Sequence, residues 1–281
     1  MSSRLTSNGA DAARMCAETR LGPGRTELLI LPLAAWSPKP KAKVRLSGNA
    51  LGRRDLRQSD HASQGTRMID PRTIVEHGYD RIAERHAEWA QRTRTAERER
   101  YADIFLAHLS VGASVLELGC GVGVPTTQKL ATQCRVTGVE LSRRQVEIGR
   151  RNVPGATFIH ADMRTATLPS SHFDGVAAFY SIIHVPREDH GVVLRRVAQW
   201  LRPNGVFLGS FGTSDMSMGY EQDWLGEPMF WSSFEPEMTT ELVKSSGLAV
   251  EWARIETADE DGVPVRFLWI LARRRAPQGA A

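Results

Sequence analysis

The residues best suited to chemistry lie in Glu117-Leu118-Gly119-Cys120-Gly121-Val122-Gly123. An apolar run, Ser114–Leu118, enters this glycine-rich turn, and a helix opens after it. Glycines at such a turn let the backbone bend sharply and let a ligand come within contact distance. A dinucleotide loop wants Gly or Ala three residues after the second glycine, and here that position is the branched Val124. Glu117, two residues before Gly119, would gain nothing beside a diphosphate but suits a cationic, amino-acid-like ligand. Val136-Thr137-Gly138-Val139-Glu140 then ends in an acid that can accept both hydroxyls of a ribose. In Ala161-Asp162-Met163, Asp162 can accept from an exocyclic adenine amine while Met163 lies against the ring. Phe179-Tyr180-Ser181-Ile182-Ile183-His184 adds an imidazole, the side chain that titrates nearest neutrality. His184 is therefore the candidate base for an acceptor that must lose a proton, ahead of His86, His160 and His190. The alternative for His184 is a packed, hydrogen-bonded loop residue; for Glu140 and Asp162 it is a helix N-cap.

The elements that must position these residues alternate. Asp70-Pro71 reads as an N-cap followed by proline in the first turn of a helix over 71–91. A second amphipathic helix spans about 95–109, with Tyr101, Ile104, Phe105 and Leu109 on one side. Strands follow at 114–118, 135–139, 157–160, 173–180 and 206–211, separated by helices at 124–132, 142–152 and 188–201. This rhythm predicts an α/β fold with a parallel sheet and helices on both faces. The tail differs: a helix at 236–246 and two strands, 248–256 and 265–272, joined across the turn signal Asp261-Gly262, imply an antiparallel hairpin.

In combination, residues 70–273 resemble class I S-adenosylmethionine-dependent methyltransferases, specifically the small-molecule "type 11" branch. The resemblance rests on the Glu-x-Gly-x-Gly-x-Gly loop, the acid after the second strand, Ala161-Asp162-Met163, and Leu201-Arg202-Pro203-Asn204-Gly205 before the fifth strand. Gly78-Tyr79-Asp80-Arg81-Ile82-Ala83-Glu84 and Leu141-Ser142 with Gln145 add to it. It implies a Rossmann-like seven-stranded sheet of order 3-2-1-4-5-7-6 with strand 7 antiparallel. It further implies methyl transfer from S-adenosylmethionine, leaving S-adenosylhomocysteine. By the same resemblance, Gly119, Cys120 and Gly121 pass close to the cofactor, Glu117 meets its ammonium group and Glu140 its ribose. Leu141 and Gln145 flank it, Asp162 and Met163 hold the base, Tyr180 approaches the sulfonium, and Tyr79 closes the site from the first helix. Tyr79 could equally be a core aromatic.

Between the fifth strand and the last helix, Thr213–Phe234 is rich in large apolar groups. Tyr220, Trp224, Met229, Phe230 and Trp231 are expected to line an acceptor pocket as part of a lid over 213–234, since Met and aromatic side chains adapt to a bulky ligand. Ordinary packing of a long connection is the alternative. The expected acceptor is a small, apolar or aromatic molecule methylated on O or N.

Composition narrows the remaining choices. The 281 residues are 41% hydrophobic and 24% charged, which excludes collagen-like, disulfide-stapled and wholly disordered chains. Three cysteines without metal-ligand spacing (Cys16, Cys120, Cys134) fit a reduced, cytoplasmic protein with no metal centre. The formal charge is +4, but residues 1–67 hold 12 Lys+Arg against 5 Asp+Glu, leaving 24 against 27 in the remainder. The basic character thus belongs to residues 1–67, read as a disordered extension ahead of a methyltransferase-like domain at 68–275 and a flexible 276–281. Within that domain the helices occupy 70–109 and the core sheet 113–273. A start of translation at Met68 would equally explain the extension. Its apolar run, Leu28–Trp36, is too short to span a bilayer. An RNA methyltransferase using a basic arm, a non-catalytic S-adenosylmethionine-binding protein and a nicotinamide-dependent oxidoreductase are the competing readings. The negative domain and the absence of an Asn/Asp-Pro-Pro-aromatic motif at Tyr180–Ile183 weigh against a nucleic-acid partner. Oligomeric state has no signal in the sequence.

Overall fold

The computed structural model describes residues 70–276. The expected extension 1–67 and most of the expected 276–281 tail lie outside them.

The first helix, α1 (Pro71–Arg92), starts as its sequence dictates: Asp70 caps it through Oδ1, which accepts from the Arg72 N–H at 3.0 Å, and proline fills the first turn. A left-handed Arg94 (φ 58°) breaks the chain before α2 (Thr95–Leu106). The alternating part follows as β1 (Ser114–Leu118), α3 (Thr126–Leu130), β2 (Arg135–Glu140), α4 (Arg143–Asn152), β3 (Thr157–His160), β4 (Phe173–Ala178), α5 (Arg187–Trp200) and β5 (Leu201–Phe211). A hairpin, β6 (Met216–Trp224) and β7 (Glu227–Ser233), leads to α6 (Pro236–Ser245), and β8 (Leu248–Glu260) and β9 (Val263–Arg274) close the fold.

Seven strands form one sheet of order β3-β2-β1-β4-β5-β9-β8. The first five pair in parallel, and β9 is antiparallel to both β5 and β8. With the hairpin β6–β7 outside the sheet, this is the 3-2-1-4-5-7-6 order that the family resemblance implies. β1 is an interior strand with every residue buried, which explains its apolar run from Val115 to Leu118 apart from Glu117. One face of the sheet packs Leu116, Leu118, Phe207 and Ile270 against α5; the other packs Val115, Leu208 and Trp269 beneath Tyr101 and Phe105 of α2.

Two differences from the sequence reading matter. β5 begins at Leu201, so Arg202-Pro203-Asn204-Gly205 belongs to the strand, with a register shift against β4. Residues 213–234 form a two-stranded hairpin, and its β7 strand packs under α1 through Val75, Ile82, Met229 and Phe230. Gly78 permits that approach, because a Cβ there would sit 2.9 Å from the Pro228 carbonyl oxygen.

Candidate active site

The carboxyl ends of the parallel strands open into a cavity of about 1030 Å³. In open α/β sheets this is where ligands bind, at the reversal of strand order. The reversal falls between β1 and β4, and the glycine loop leaves β1 there.

Gly119 and Gly121 adopt φ of 70° and 57°, which favour glycine. A Cβ at Gly119 would lie 2.3 Å from the Ser181 Cβ, so the loop also needs glycine for space. Ser181 donates its hydroxyl to the Leu118 carbonyl at 2.6 Å and ties the end of β4 to the loop. The Gly121 N–H donates to Glu140 Oε2 and the Ser142 N–H to Oε1, both at 2.9 Å. A carboxylate offers about four acceptor positions, so these two N–H groups leave room for a ribose hydroxyl. Burial pushes the Glu140 carboxyl up, against the pull of these N–H groups. Gln145, buried on α4, has its Oε1 beside Gly121, and its enclosed Nε2 has no partner among the described residues.

Glu117 is 3% exposed, and Thr127 Oγ1 donates to it at 2.6 Å. Burial pushes its carboxyl up to about 8. Such an acid awaits a cation. These residues fit the methionyl and ribose parts of S-adenosylmethionine: an acid for an ammonium, an acid with free acceptor positions for a diol, an unpartnered amide, and glycines where the ligand must come close.

The site departs from the sequence reading at Asp162. Its carboxylate accepts from the Arg164 backbone N–H (2.8 Å), from Arg164 Nε (3.0 and 3.2 Å) and Nη2 (2.8 Å), and pairs with Arg72 Nε at 3.2 Å. Burial raises this carboxyl, but the Arg164 and Arg72 contacts outweigh it and hold it below the usual range. Asp162 therefore lines the cavity as the anchor of an arginine cluster rather than as a free acceptor. Met163 packs partly buried against the core, and the Leu141 carbonyl accepts from His160 Nε2 at 2.9 Å. The Cys120 thiol is buried, and burial pushes it up.

At the other end, His184 closes a short helical turn, Ile182–His184. Its Nδ1 lies 2.9 Å from the Phe230 carbonyl and its Nε2 2.8 Å from the Tyr79 hydroxyl. A carbonyl can only accept, so Nδ1 carries the proton and Nε2 accepts from Tyr79. Burial lowers His184 to about 4, so the ring is neutral at pH 7. Tyr79 meets His86, His184 and Trp224 edge-on at 5.0, 5.2 and 5.8 Å. Trp224 in turn meets Trp89 and Trp231 at 5.6 and 5.7 Å. Trp224 and Trp231 thus line the cavity, and Tyr220, 53% exposed, stands at its rim. Met229 and Phe230 do not: at 0% and 2% exposure they fill the core beneath α1.

Sequence reasoning missed Arg94, just before α2, Arg98 on α2 and the tip of the β8–β9 hairpin, all of which line the cavity. Arg98 stacks over the Tyr180 ring at 4.3 Å. Tyr180 itself has φ 56° and is fixed by its N–H, which donates to Ser210 Oγ at 2.7 Å.

Residues 115–205 match the family described as methyltransferase domain. That stretch is a methyltransferase domain. Over 168 residues it is 31% identical to 27-O-demethylrifamycin SV methyltransferase of Amycolatopsis mediterranei, covering 52% of this chain and 61% of that one. It is 36% identical over 104 residues to the methyltransferase GfsG of Streptomyces halstedii, covering 34% and 37%. The chain thus spans less than two thirds of the length of these relatives. Among solved structures, magnesium protoporphyrin IX methyltransferase from Synechocystis PCC 6803, with bound S-adenosylmethionine, superposes with a TM-score of 0.56 at 15% identity. That match covers 74% of this chain and 99% of the neighbour, and at this identity it speaks for the fold alone. Among the described residues no helix is long and apolar enough to cross a membrane, and no His/Cys/Asp/Glu group could hold a metal.

Proposed function

We propose that the protein transfers the methyl group of S-adenosylmethionine to an oxygen or nitrogen of a small apolar or aromatic acceptor. The observation that carries this reading is one continuous cavity. It runs from the buried acids Glu117 and Glu140 to the aromatic wall of Trp89, Trp224 and Trp231, past the Tyr79–His184 pair. Single ligand pockets fill roughly 300–1,000 Å³, so a volume at the top of that range accommodates a cofactor and an acceptor side by side. The free, buried Cys120 and Cys134 support a reducing, cytoplasmic setting.

When bound, S-adenosylmethionine supplies an electrophilic methyl: the acceptor forms a bond to that carbon as the carbon–sulfur bond breaks, leaving neutral S-adenosylhomocysteine. The chain's part is alignment and proton handling. Glu117 and Glu140 fix the two polar ends of the cofactor, and the aromatic wall excludes water and orients the acceptor; such orientation is worth up to ~7–11 kcal/mol. Tyr79 and His184 form a relay. A hydroxyl acceptor gives its proton to the Tyr79 oxygen while Tyr79 passes its own to His184 Nε2, and the Phe230 carbonyl holds the resulting imidazolium through Nδ1–H. A ring held near 4 is a weak base, so the relay suits an acidic hydroxyl such as a phenol or enol.

The test is incubation of a native metabolite extract with labelled S-adenosylmethionine, followed by mass spectrometry. A labelled small-molecule product is expected. Binding of NAD in place of S-adenosylmethionine and S-adenosylhomocysteine, or label transfer to RNA alone, would overturn the reading. Within it, His184→Gln is expected to lower turnover about 10²-fold or more while leaving the S-adenosylhomocysteine Kd unchanged.

A further inference from the structure

We infer that His86 binds the acceptor, donating from Nε2 to a carbonyl oxygen conjugated with the hydroxyl that is methylated. The acceptor is then an enol or phenol carrying a conjugated carbonyl, an assignment that rests on the methyl-transfer reading above. His86 stands on α1 seven residues after Tyr79 and lines the same cavity. That spacing is about two helical turns, so both rings lie on one face. The His86 ring meets Tyr79 edge-on at 5.0 Å and stacks on Trp89 at 5.9 Å, with an interplanar angle of 27°. The aromatic wall thus sets the plane of the imidazole, beside the ring whose hydroxyl receives the acceptor's proton.

Nδ1 of His86 is fully enclosed and has no hydrogen-bond partner among the described residues, whereas Nε2 is not enclosed. Burial, and after it the charge of Arg98, lower His86 to about 3, so the ring is neutral at pH 7. A neutral imidazole carries one N–H, and an orphaned N–H is worse buried than a bare acceptor. The proton therefore sits on Nε2. His86 is also a poorer base than His184, which lies at about 4, so its part is donation. A ring that only packed here would carry the enclosed nitrogen at a cost that phenylalanine avoids. The weak base and the donor together select one chemistry. Tyr79 and His184 need a hydroxyl more acidic than an alcohol. Conjugation with a carbonyl supplies that acidity, because the charge left on proton loss spreads to the carbonyl oxygen. That oxygen meets Nε2–H, and the Arg98 cation nearby favours the same charge. Trp224 and Trp231 on the cavity wall suit the flat π-system that conjugation enforces.

The assignment is tested by turnover of the full chain with S-adenosylmethionine on two fused-ring acceptors of similar size. One, 4-hydroxycoumarin, has its hydroxyl conjugated with a ring carbonyl; the other, 1-naphthol, has no carbonyl. The wild-type chain is expected to favour 4-hydroxycoumarin by at least about 30-fold in kcat/KM. Part of that preference is acidity, which a change at His86 leaves alone. In His86→Phe, kcat/KM for 4-hydroxycoumarin is expected to fall about 10-fold, mainly through KM, with 1-naphthol hardly changed. His86→Gln, which keeps an N–H donor, recovers most of the loss, and His86→Leu serves if the Phe variant does not fold. A preference unchanged in His86→Phe overturns the assignment, and so does an equal loss on both acceptors, which marks a structural role. If the wild-type chain binds S-adenosylhomocysteine but methylates neither compound, the acceptor class is overturned. If it does not bind S-adenosylhomocysteine, the cofactor reading itself falls, and the assignment with it.

Discussion

Glu117 is a carboxyl buried almost completely, with one hydroxyl partner, and burial moves it from 4.5 to about 8. It is therefore mainly protonated at pH 7 until a cation arrives, and an ammonium beside it restores the ionised form. Binding of S-adenosylhomocysteine at pH 7 is expected to release close to one proton, measured by calorimetry in buffers of different ionisation enthalpy. Glu117→Gln abolishes the release. The sign carries over to stability: a raised carboxyl stabilises the fold below about 4.5, and that contribution is lost as pH rises through about 8. His184 and His86, lowered by burial to about 4 and about 3, act oppositely. Their unfolded forms take up protons below about 6.5, so stability falls as pH drops from there toward 4. Replacing Glu117 should thus flatten the decline of unfolding midpoint between pH 4.5 and 8 and leave the acid limb alone. At this scale the sequence was informative where chemistry sits at strand ends, as with Glu117 and Glu140. It was misleading at Asp162, because one of the arginines that occupy it, Arg72, stands on α1, 90 residues earlier in the chain. Arg98 was hidden in Thr95-Ala96-Glu97-Arg98-Glu99-Arg100, which reads as a solvated charged face.

The elements are held to one another where small residues let backbones approach. β2 runs beneath the glycine loop at Gly138, where a Cβ would lie 2.4 Å from Cys120 Sγ and 2.9 Å from its Cβ. Gly138→Ala is expected to cost about 1–3 kcal/mol, as overpacking does, and to weaken S-adenosylhomocysteine binding by displacing the loop. Adding Cys120→Ala removes the sulfur and should recover part of both losses; thermal unfolding and calorimetry on the single and double variants check the coupling. At the helix side, Asp80 of α1 holds the start of α4, accepting from Ser142 Oγ at 2.6 Å and the Arg144 N–H at 3.1 Å. The parallel strands were legible because buried strands are unbroken apolar runs bounded by turns. The β6–β7 hairpin was not. Most of β6 is exposed, glycine interrupts its pattern, and its pairing with β7 carries two register shifts, so neither period stands out.

At the scale of the molecule, the cavity is roofed by two helices bound to the far edge of the sheet. Tyr101 of α2 stacks flat on Trp269 of β9 at 3.7 Å, and its hydroxyl donates to Glu256 at 2.9 Å. Trp269 Nε1 donates to Glu97 at 2.7 Å. Nearer the opening, Trp89 Nε1 donates to Asp261 at 3.0 Å, and Arg94 pairs with Glu260 at the hairpin tip. The sequence foretold the hairpin from Asp261-Gly262 but not this contact, which joins residues far apart in the chain. The Arg94 side chain is only 2% exposed, and Glu260 is its ion-pair partner. Glu260→Gln leaves it unpaired at an expected cost of about 2–5 kcal/mol, seen as a fall in Tm of at least about 4 °C. If the roof is a wall of the acceptor site, the same variant raises the acceptor KM well beyond any change in S-adenosylhomocysteine affinity, because Glu117 and Glu140 stand on the sheet and not on the roof. An unchanged Tm would mean that Phe267, whose ring lies 4.1 Å from the guanidinium, and Tyr180 hold Arg94 by themselves. The roof would then be closed by packing on aromatic faces rather than by charge.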